Sequence, residues 1–519
     1  MRKCGILVHP ISFPSKYGIG DIGYGKKFVD FLEKGGQKLW QILPLGHTGF
    51  GDSPYQSFST FAGNPLLISP DILVEEGLLT EEDVENVPEF KTRRIEYGKV
   101  IDHKYKLYRK AFLKFDFEDK DYKKFLTENE FWLEDYALFM ACKNYFIESR
   151  KNTYESGEYR AYYKAACKYM DNDSVKDCFY GGAWNSFPKG LRNREEDVIK
   201  AYKEKLSYEI DFYKFIQYEF YSQWTELKDY ANEKNIEIIG DIPIFVAGDS
   251  SDTWSRKELF YINSRGFQTK AAGVPPDYFS KDGQLWGNPL YNWKKHREEG
   301  YSWWSLRIKN TLKLADIVRI DHFRGFESYW SVPMGEETAV NGKWVKGPGS
   351  EIFEAIEKKL GKVNIIAEDL GDLNEEVIKL RDKLGLPGMK ILQFAFDNCE
   401  NEYLPHNYEK DNYIVYTGTH DNDTTIGWYS EQSEKDKDYI RRYMNVSGEF
   451  INWDLIRLAV SSCGKYSIIP IQDIIGLGSD ARMNIPGKSE GNWQFRFEEN
   501  DLNEKIADKL KYLCELFNR

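Results

Sequence analysis

The sequence predicts an α/β fold, a (β/α)8 or TIM barrel with helical insertions between its strands, and three observations support this. Short apolar runs recur along the 519 residues, and helical stretches separate them. Several of these runs are apolar on both faces, as strands covered on each side must be. The repeated strand-then-helix order indicates a parallel sheet, and seven or eight such units favour closure into a barrel. An open doubly wound sheet is the alternative fold.

Seven apolar runs are the predicted strands. Helical patterns lie between them, for example at 375–385, where Gly385 suits the C-terminus of a helix. In chain order the strands are expected at residues 38–45, 236–246, 315–323, 363–370, 389–396, 412–420 and 466–475.

Residues from about 80 to 225 interrupt this order. They are rich in Lys, Glu, Tyr and Phe and show helical periodicity, as in YKAACKYM (163–170) and in 209–233. No Pro-, Gly- or Ser-rich linker sets them apart, and no internal repeat is present. We therefore predict a mostly helical insertion within a single barrel domain that spans residues 1–519.

Composition and charge exclude several classes of protein. A net charge of −12 argues against nucleic-acid binding, which needs a clustered basic surface. No segment approaches the roughly 20 apolar residues that span a bilayer, and the run before His9 is too short for a secretory signal. The seven cysteines lack CxxC spacing, which fits reduced thiols. We expect a cytoplasmic protein with neither a nucleic-acid nor a membrane partner.

Acidic residues follow four of the predicted strands. Asp241, Asp321, Glu368 and Asp421 each stand just past the apolar run or at its end. One such acid is usually a helix cap or a turn former, but the C-terminal ends of barrel strands meet at one rim. Arg319 shares the strand face of Asp321 and would keep that carboxylate ionised. Carboxylates that converge from several strands are suited to sugar-bond chemistry.

Seven long motifs stand in order between residues 53 and 493. They are SPYQSFSTFAGNP (53–65), GDIPIFVAGDSSDTW (240–254), GVPPDYFSKDGQLWGNPLYNW (273–293), VRIDHFRGF (318–326), IIAEDLG (365–371), YTGTHDNDTT (416–425) and RMNIPGKSEGNW (482–493). With these motifs the sequence resembles the amylomaltase family, the 4-α-glucanotransferases or disproportionating enzymes of the α-amylase clan. The stretch near 85–225 carries no matching motif.

The resemblance implies a retaining double displacement with three catalytic acids. By motif position, Asp321 is the expected nucleophile, Glu368 the acid/base, and Asp421 the group that grips the sugar in its transition state. Retention implies that the carboxyls of Asp321 and Glu368 lie about 5–5.5 Å apart. Glu368 must stay protonated in the resting enzyme, so burial or a like charge should raise its pKa.

The resemblance also implies residues that bind the substrate. Arg319, His322 and His420 match groups that orient the nucleophile and bind sugar hydroxyls. Asp241 matches the first acidic strand end of the clan, and Tyr55 matches an active-site tyrosine that can stack on a sugar ring.

Residues 273–293 resemble the family's loop over the cleft. The Pro275–Pro276 pair and the glycines predict a stiff, irregular segment. Within it, Asp277, Gln284 and Trp286 are expected against the glucan. The calcium-binding Asn-His pair of some clan members is absent from DIPIFVAGD, so we predict no metal, and no cofactor is expected.

The predicted function is a 4-α-glucanotransferase that moves α-1,4-glucan segments between maltooligosaccharides. The nearest alternative is an α-1,4-glucan hydrolase, because hydrolysis uses the same catalytic residues with water as the acceptor. A catalytically inactive glucan-binding protein is a third possibility, although all the essential acids are present.

Overall fold

The computed structural model describes residues 2–151, 183–276, 281–371, 373–488 and 490–519. These residues form twelve strands in two sheets. In chain order, β1 to β12 are Lys3–Leu7, Leu39–Gln41, Glu237–Pro243, Lys270–Val274, Gln284–Pro289, Ile317–Asp321, Ser328–Pro333, Lys343–Lys346, Ile365–Ala367, Gly388–Ile391, Tyr413–Tyr416 and Tyr466–Pro470.

The larger sheet is an eight-stranded parallel barrel. Its strands follow the order β10, β11, β12, β1, β2, β3, β6, β9, and every neighbouring pair is parallel. The two outermost strands also meet, because the backbone N–H of Ala367 donates to the carbonyl oxygen of Pro387 at 3.0 Å. The predicted (β/α)8 barrel is confirmed, and the open-sheet alternative is wrong.

The first barrel strand, β1, is absent from the seven runs predicted as strands. It lies between β12 and β2, and its apolar stretch is short and contains Gly5. A Cβ atom at Gly5 would come within 2.4 Å of the Leu39 Cβ atom and carbonyl oxygen on β2. Close contact between the two strands therefore requires glycine here, and this residue weakens the strand pattern in the sequence.

Helices alternate with the barrel strands, and the described residues between β2 and β3 are mostly helical. The predicted helical stretch at 209–233 lies in the helix Ser207–Glu233, whereas residues 163–170 lie outside the described part of the chain. The α-helices of the described residues are Gly25–Lys34, Pro70–Glu75, Glu81–Glu85, Tyr97–Phe112, Lys120–Lys151, Lys189–Arg192, Glu196–Lys205, Ser207–Glu233, Ser251–Ser255, Trp293–Glu298, Ser302–Leu314, Glu351–Leu360, Glu375–Lys383, Thr425–Glu431, Glu434–Met444, Ile451–Ser461, Ile471–Ile475 and Glu504–Leu516. None of them is both long and apolar enough to cross a membrane.

The helices between β2 and β3 share one hydrophobic core with the barrel. The helix Ser207–Glu233 packs against Lys120–Lys151 and also contacts β3. On its barrel side, Trp224 is fully buried and donates its indole N–H to the carbonyl oxygen of Leu314 at 2.8 Å. That the whole chain forms a single catalytic domain remains a prediction.

A four-stranded antiparallel sheet, in the order β5, β4, β7, β8, was not predicted. It corrects the expectation of an irregular segment at 273–293, because Gln284–Pro289 forms strand β5 and pairs with β4. Glycines at 273, 283 and 287 interrupt the alternation of apolar and polar residues by which a strand is usually recognised. Residues 277–280 of this segment lie outside the described residues.

Candidate active site

The C-terminal ends of the barrel strands bring the predicted acids to one rim. Asp241 lies on β3, Asp321 ends β6, and Glu368 directly follows β9. In the pairing of β3 with β6, Asp241 is opposite Arg319 and Pro243 is opposite Asp321. Side chains at alternate positions of a strand share a face, so Arg319 and Asp321 point the same way.

Arg319 contacts two of these carboxylates, those of Asp241 and Asp321. Its Nη1 donates to Asp241 Oδ2 at 2.6 Å, and its Nη2 lies 3.1 Å from Asp321 Oδ1. The hydroxyl of Tyr55 donates to the same Asp241 oxygen at 2.7 Å. Arg319 and Asp241 are buried, whereas the Asp321 side chain keeps 31% of its exposure. Asp321 is therefore the acid of this group that a ligand in the cleft can reach.

Glu368 is held by two backbone amides. The N–H of His322 donates to Oε2 at 2.7 Å, and the N–H of Leu370 donates to Oε1 at 2.8 Å. His322 has a φ of +54°, a left-handed conformation that is uncommon for a residue with a side chain. Because His322 directly follows Asp321, this turn connects the two acids.

Burial raises the pKa of Glu368. The positive charge of Arg319 and the two backbone hydrogen bonds lower the same pKa, but burial has the larger effect. The raised pKa agrees with the requirement for a protonated acid at rest. The separation of about 5–5.5 Å expected between the carboxyls of Asp321 and Glu368 remains a prediction.

The pKa of Asp321 is also raised. Burial is the main cause, Glu368, Asp241 and Asp421 add to it, and Arg319 opposes it without reversing the direction. Arg319 thus acts in the predicted sense but does not by itself hold Asp321 ionised. Because the charge of Glu368 raises the pKa of Asp321, protonation of Glu368 favours ionisation of Asp321.

Asp421 and His420 reach the same rim from the loop that follows β11. Asn484 donates its amide N–H to Asp421 Oδ1 at 2.6 Å, and His420 Nε2 lies 3.4 Å from that oxygen. The His420 ring stacks on Tyr55 with centroids 5.3 Å apart and planes inclined by 16°. Burial lowers the pKa of His420, and Asp421 only partly opposes this, so the imidazole is neutral at neutral pH.

Most of the predicted binding residues line one cleft. Trp286 contacts His322 edge to face at 4.8 Å, and its indole N–H donates to Gln284 Oε1 at 3.2 Å. Burial lowers the pKa of His322 to about 3, so this imidazole is also neutral. Asp277 lies outside the described residues, so its predicted place remains open. The cleft is lined by Tyr55, Gln284, Trp286, Asp321, His322, His420 and Asp421, among others.

Two further cleft residues, Asn484 and Trp493, were not selected from the sequence. Trp493 packs against both Tyr55 and His420, with ring centroids 5.8 and 6.0 Å apart. The backbone N–H of Asn484 donates to the carbonyl oxygen of His420 at 3.1 Å. Their segment, 482–493, was noted as a motif, but its contacts with the β11 loop are long-range and leave no local pattern.

The family model for 4-alpha-glucanotransferases matches residues 8–501. The chain belongs to the 4-alpha-glucanotransferase family. Curated members of this family from Clostridium butyricum and Synechocystis are 46% and 44% identical to it. The alignments cover 99% and 100% of this chain, and 100% and 98% of the respective relatives. The resemblance seen in the sequence motifs is confirmed.

Solved structures agree with this membership. An amylomaltase from Streptococcus agalactiae, solved in complex with acarbose, superposes with a TM-score of 0.90 at 39% identity, with full coverage of both chains. An amylomaltase from Corynebacterium glutamicum gives a TM-score of 0.72 at 16% identity over 98% of this chain and 75% of the other, which supports the fold alone. Among the described residues, no cluster of three or more His, Cys, Asp or Glu side chains could hold a metal ion.

Proposed function

We propose that this protein is a 4-α-glucanotransferase that moves α-1,4-glucan segments between maltooligosaccharides by a retaining double displacement. The observation that carries the proposal is the pairing of an accessible Asp321, in contact with Arg319, with Glu368, whose pKa is raised. Membership of the 4-alpha-glucanotransferase family favours transfer over hydrolysis.

In the first step, an oxygen of Asp321 attacks the anomeric carbon of the donor glucan. The bond between this carbon and the glycosidic oxygen breaks, and Glu368 gives its proton to the departing oxygen. The products are a covalent glycosyl ester on Asp321 and a free glucan with a new 4-hydroxyl group.

In the second step, the 4-hydroxyl of another glucan attacks the ester. Glu368, now ionised, removes the hydroxyl proton, and the bond to Asp321 breaks. Two inversions return the sugar to its original anomeric configuration. One glycosidic bond is broken and one is formed, so their number is unchanged.

The remaining residues of the site act on the sugar or on the nucleophile. Arg319 orients Asp321 and lowers its pKa, and Asp421 stabilises the positive charge that develops on the sugar ring. Neutral His322 and His420 can each donate or accept a hydrogen bond with a sugar hydroxyl. Trp286 offers an aromatic face for a sugar ring.

The substrate class and the location belong to the same proposal. Acarbose is bound by the Streptococcus agalactiae relative, which supports α-glucan-like ligands for this cleft. We place the protein in the cytoplasm because the five cysteines of the described residues are free thiols. The predicted absence of a nucleic-acid partner, a cofactor and a metal is part of this proposal.

Incubation with maltotriose distinguishes transfer from hydrolysis. We expect glucose and a ladder of longer maltooligosaccharides, with a constant number of reducing ends. Rising reducing ends without longer products would instead establish the hydrolase.

The Asp321→Ala variant tests the nucleophile in the same assay. Turnover should fall by about 10⁴-fold or more, the scale of losing a catalytic nucleophile, while the fold is retained. Asp411→Asn, at an exposed carboxylate just before β11, is the matched control and should keep full activity. Near wild-type turnover in Asp321→Ala would refute the assignment, and no turnover in the wild type would favour the inactive binding protein.

A further inference from the structure

Asp473 is a buried carboxylate close to the catalytic rim that has no role in the steps above. It lies in the short helix Ile471–Ile475, which directly follows β12, and only 1% of the residue is exposed. It is not among the residues that line the cleft. Its own backbone is fixed, because Asn452 donates an amide N–H to the Asp473 carbonyl oxygen at 2.8 Å.

The Asp473 carboxylate joins the two ends of the loop that carries His420 and Asp421. The Thr417 hydroxyl donates to Oδ2 at 2.6 Å, and the Thr425 hydroxyl donates to the same oxygen at 2.7 Å. The Thr425 backbone N–H donates to Oδ1, also at 2.7 Å. Thr417 directly follows β11, and Thr425 is the first residue of the next helix. A single side chain therefore fixes where the loop begins and where it ends.

The Asp421 side chain itself has little packing to hold it in place. The Asp421 side chain is 47% exposed, so its direction depends on the backbone and on the hydrogen bond from Asn484. Inside the loop, the side-chain oxygen of Asn422 accepts from the N–H and the hydroxyl of Thr419 at 2.8 and 2.9 Å, and from outside it Arg482 donates to the Asp421 carbonyl oxygen at 2.6 Å. The partly exposed middle of a loop such as this one moves easily unless the ends of the loop are held.

We propose that Asp473 is a positioning residue for the transfer reaction: its three hydrogen bonds to Thr417 and Thr425 hold the loop so that Asp421 meets the sugar in its transition state. This inference rests on the proposed function, because it assigns Asp421 a role at the sugar. Displacement of a transition-state group by about 1 Å can cost on the order of 10²-fold in rate.

The three hydrogen bonds that Asp473 accepts from Thr417 and Thr425 form a clamp, and their chemistry predicts how substitutions of Asp473 differ. Asp473→Ala removes both acceptor oxygens and with them all three hydrogen bonds, and it leaves the buried N–H of Thr425 without a partner. Asp473→Asn can keep the clamp, because its oxygen accepts from Thr425 N–H and its amide donates to the two hydroxyls, which rotate to accept. The clamp therefore depends on hydrogen-bond geometry and not on negative charge.

The test compares kcat and KM on maltotriose for Asp473→Ala and Asp473→Asn, each alone and combined with Asp421→Asn. We expect Asp473→Ala to lower kcat by about 10- to 100-fold with KM changed by less than about threefold, and Asp473→Asn to stay within about threefold of wild type. In the Asp421→Asn background, Asp473→Ala should cost less than about threefold, because the group it positions is already lost. An equal loss in both backgrounds, or no loss in either, would overturn the proposal.

Two further variants separate positioning from stability. Asp316→Ala is the control, because Asp316 accepts from Ile238 N–H at 2.8 Å and from Asn232 at 3.0 Å before β6 begins, at the opposite end of the barrel. It should lower Tm and leave kcat unchanged. If Asp473→Ala does not fold, Thr417→Val removes one of the three bonds and should lower kcat several-fold only when Asp421 is present; a loss independent of Asp421 would overturn the proposal.

Failure of the proposed function gives a different result. The wild type would then form no maltooligosaccharide ladder, and any hydrolytic turnover would still report the coupling of Asp473 to Asp421. A wild-type ladder without this coupling would leave the function intact and refute the clamp alone.

Discussion

Arg319 shows at the scale of one residue how the site balances its charges. The rim carries four carboxylates, and the charges of three of them raise the pKa of the fourth, Asp321. Arg319 is in contact with two of the four, Asp241 and Asp321. Like charges in a poorly solvated site raise each other's pKa. The guanidinium therefore limits the rise in the pKa of Asp321, and without it this proposed nucleophile would ionise only at higher pH.

Replacement of Arg319 by Met tests this balance. Arg319 lowers the pKa of Asp321, so its loss should move the acidic limb of the kcat/KM profile to higher pH. We also expect kcat/KM at neutral pH to fall by about 10²-fold or more, because two carboxylates lose a buried partner. The measurement is a pH–rate profile with Arg297→Met, an exposed arginine paired with Glu351, as the control. An unmoved acidic limb would contradict the argument.

At the scale of one element, the helix Ser207–Glu233 carries a buried acid whose hydrogen-bond partner is another carboxyl group. Glu219 is 2% exposed, and its carboxyl hydrogen-bonds with that of Glu76. Burial, together with the charge and the hydrogen bond of Glu76, raises the pKa of Glu219 well above its ordinary value. The folded protein therefore retains a proton here that the unfolded chain releases near the ordinary glutamate pKa of about 4.3.

This difference predicts that stability declines with rising pH. The folded state binds more protons between the ordinary and the raised pKa of Glu219, so the free energy of unfolding falls as pH increases through that window. Glu219→Gln should remove this decline and be more stable than wild type at pH 8 by about 1 kcal/mol, with no advantage at pH 4. Urea unfolding at both pH values measures it. Glu233→Gln, at an exposed position of the same helix, should behave like wild type, and a similar gain there would contradict the assignment.

At the scale of the whole molecule, a buried ion pair attaches the helices between β2 and β3 to the barrel. Lys104, on the helix Tyr97–Phe112, has no exposed surface and its Nζ lies 3.1 Å from Asp21 Oδ2. The same ammonium group donates to the carbonyl oxygens of Leu66 and Ile68 at 2.8 and 3.0 Å. These contacts satisfy a charge in the interior, where an unpaired one is costly.

Removal of this ammonium group should destabilise the protein. Lys104→Ala leaves the Asp21 carboxylate buried without its partner, and we expect a loss of about 3–5 kcal/mol in the free energy of unfolding. Denaturant unfolding is the measurement. On the same helix, Lys110 pairs with Asp83 at an exposed position, and Lys110→Ala should change stability by less than about 0.5 kcal/mol. Equal losses in the two variants would show that burial does not decide the effect.

Local patterns were enough to predict the barrel and the meeting of its acidic strand ends at one rim. Strand periodicity and the order of elements depend on neighbouring residues, so the parallel barrel and the shared face of Arg319 and Asp321 follow from the sequence. The same reasoning brought Asp241 and Glu368 to one rim, because strand ends of a barrel meet there. Family membership and glucan transfer were likewise predicted from motifs in their order.

Other features depended on the tertiary structure, because they arise from residues far apart in the chain. The strand Lys3–Leu7 is defined by its pairing with β12 and β2 and not by its own short pattern. Asn484 reaches Asp421, and Asp473 reaches Thr417, only because the chain returns to the same rim after a further strand and helices. The tertiary structure also decided the direction in which the pKa of Asp321 shifts. Burial and three other carboxylates raise it, and together they outweigh Arg319, the one cation that local spacing predicts.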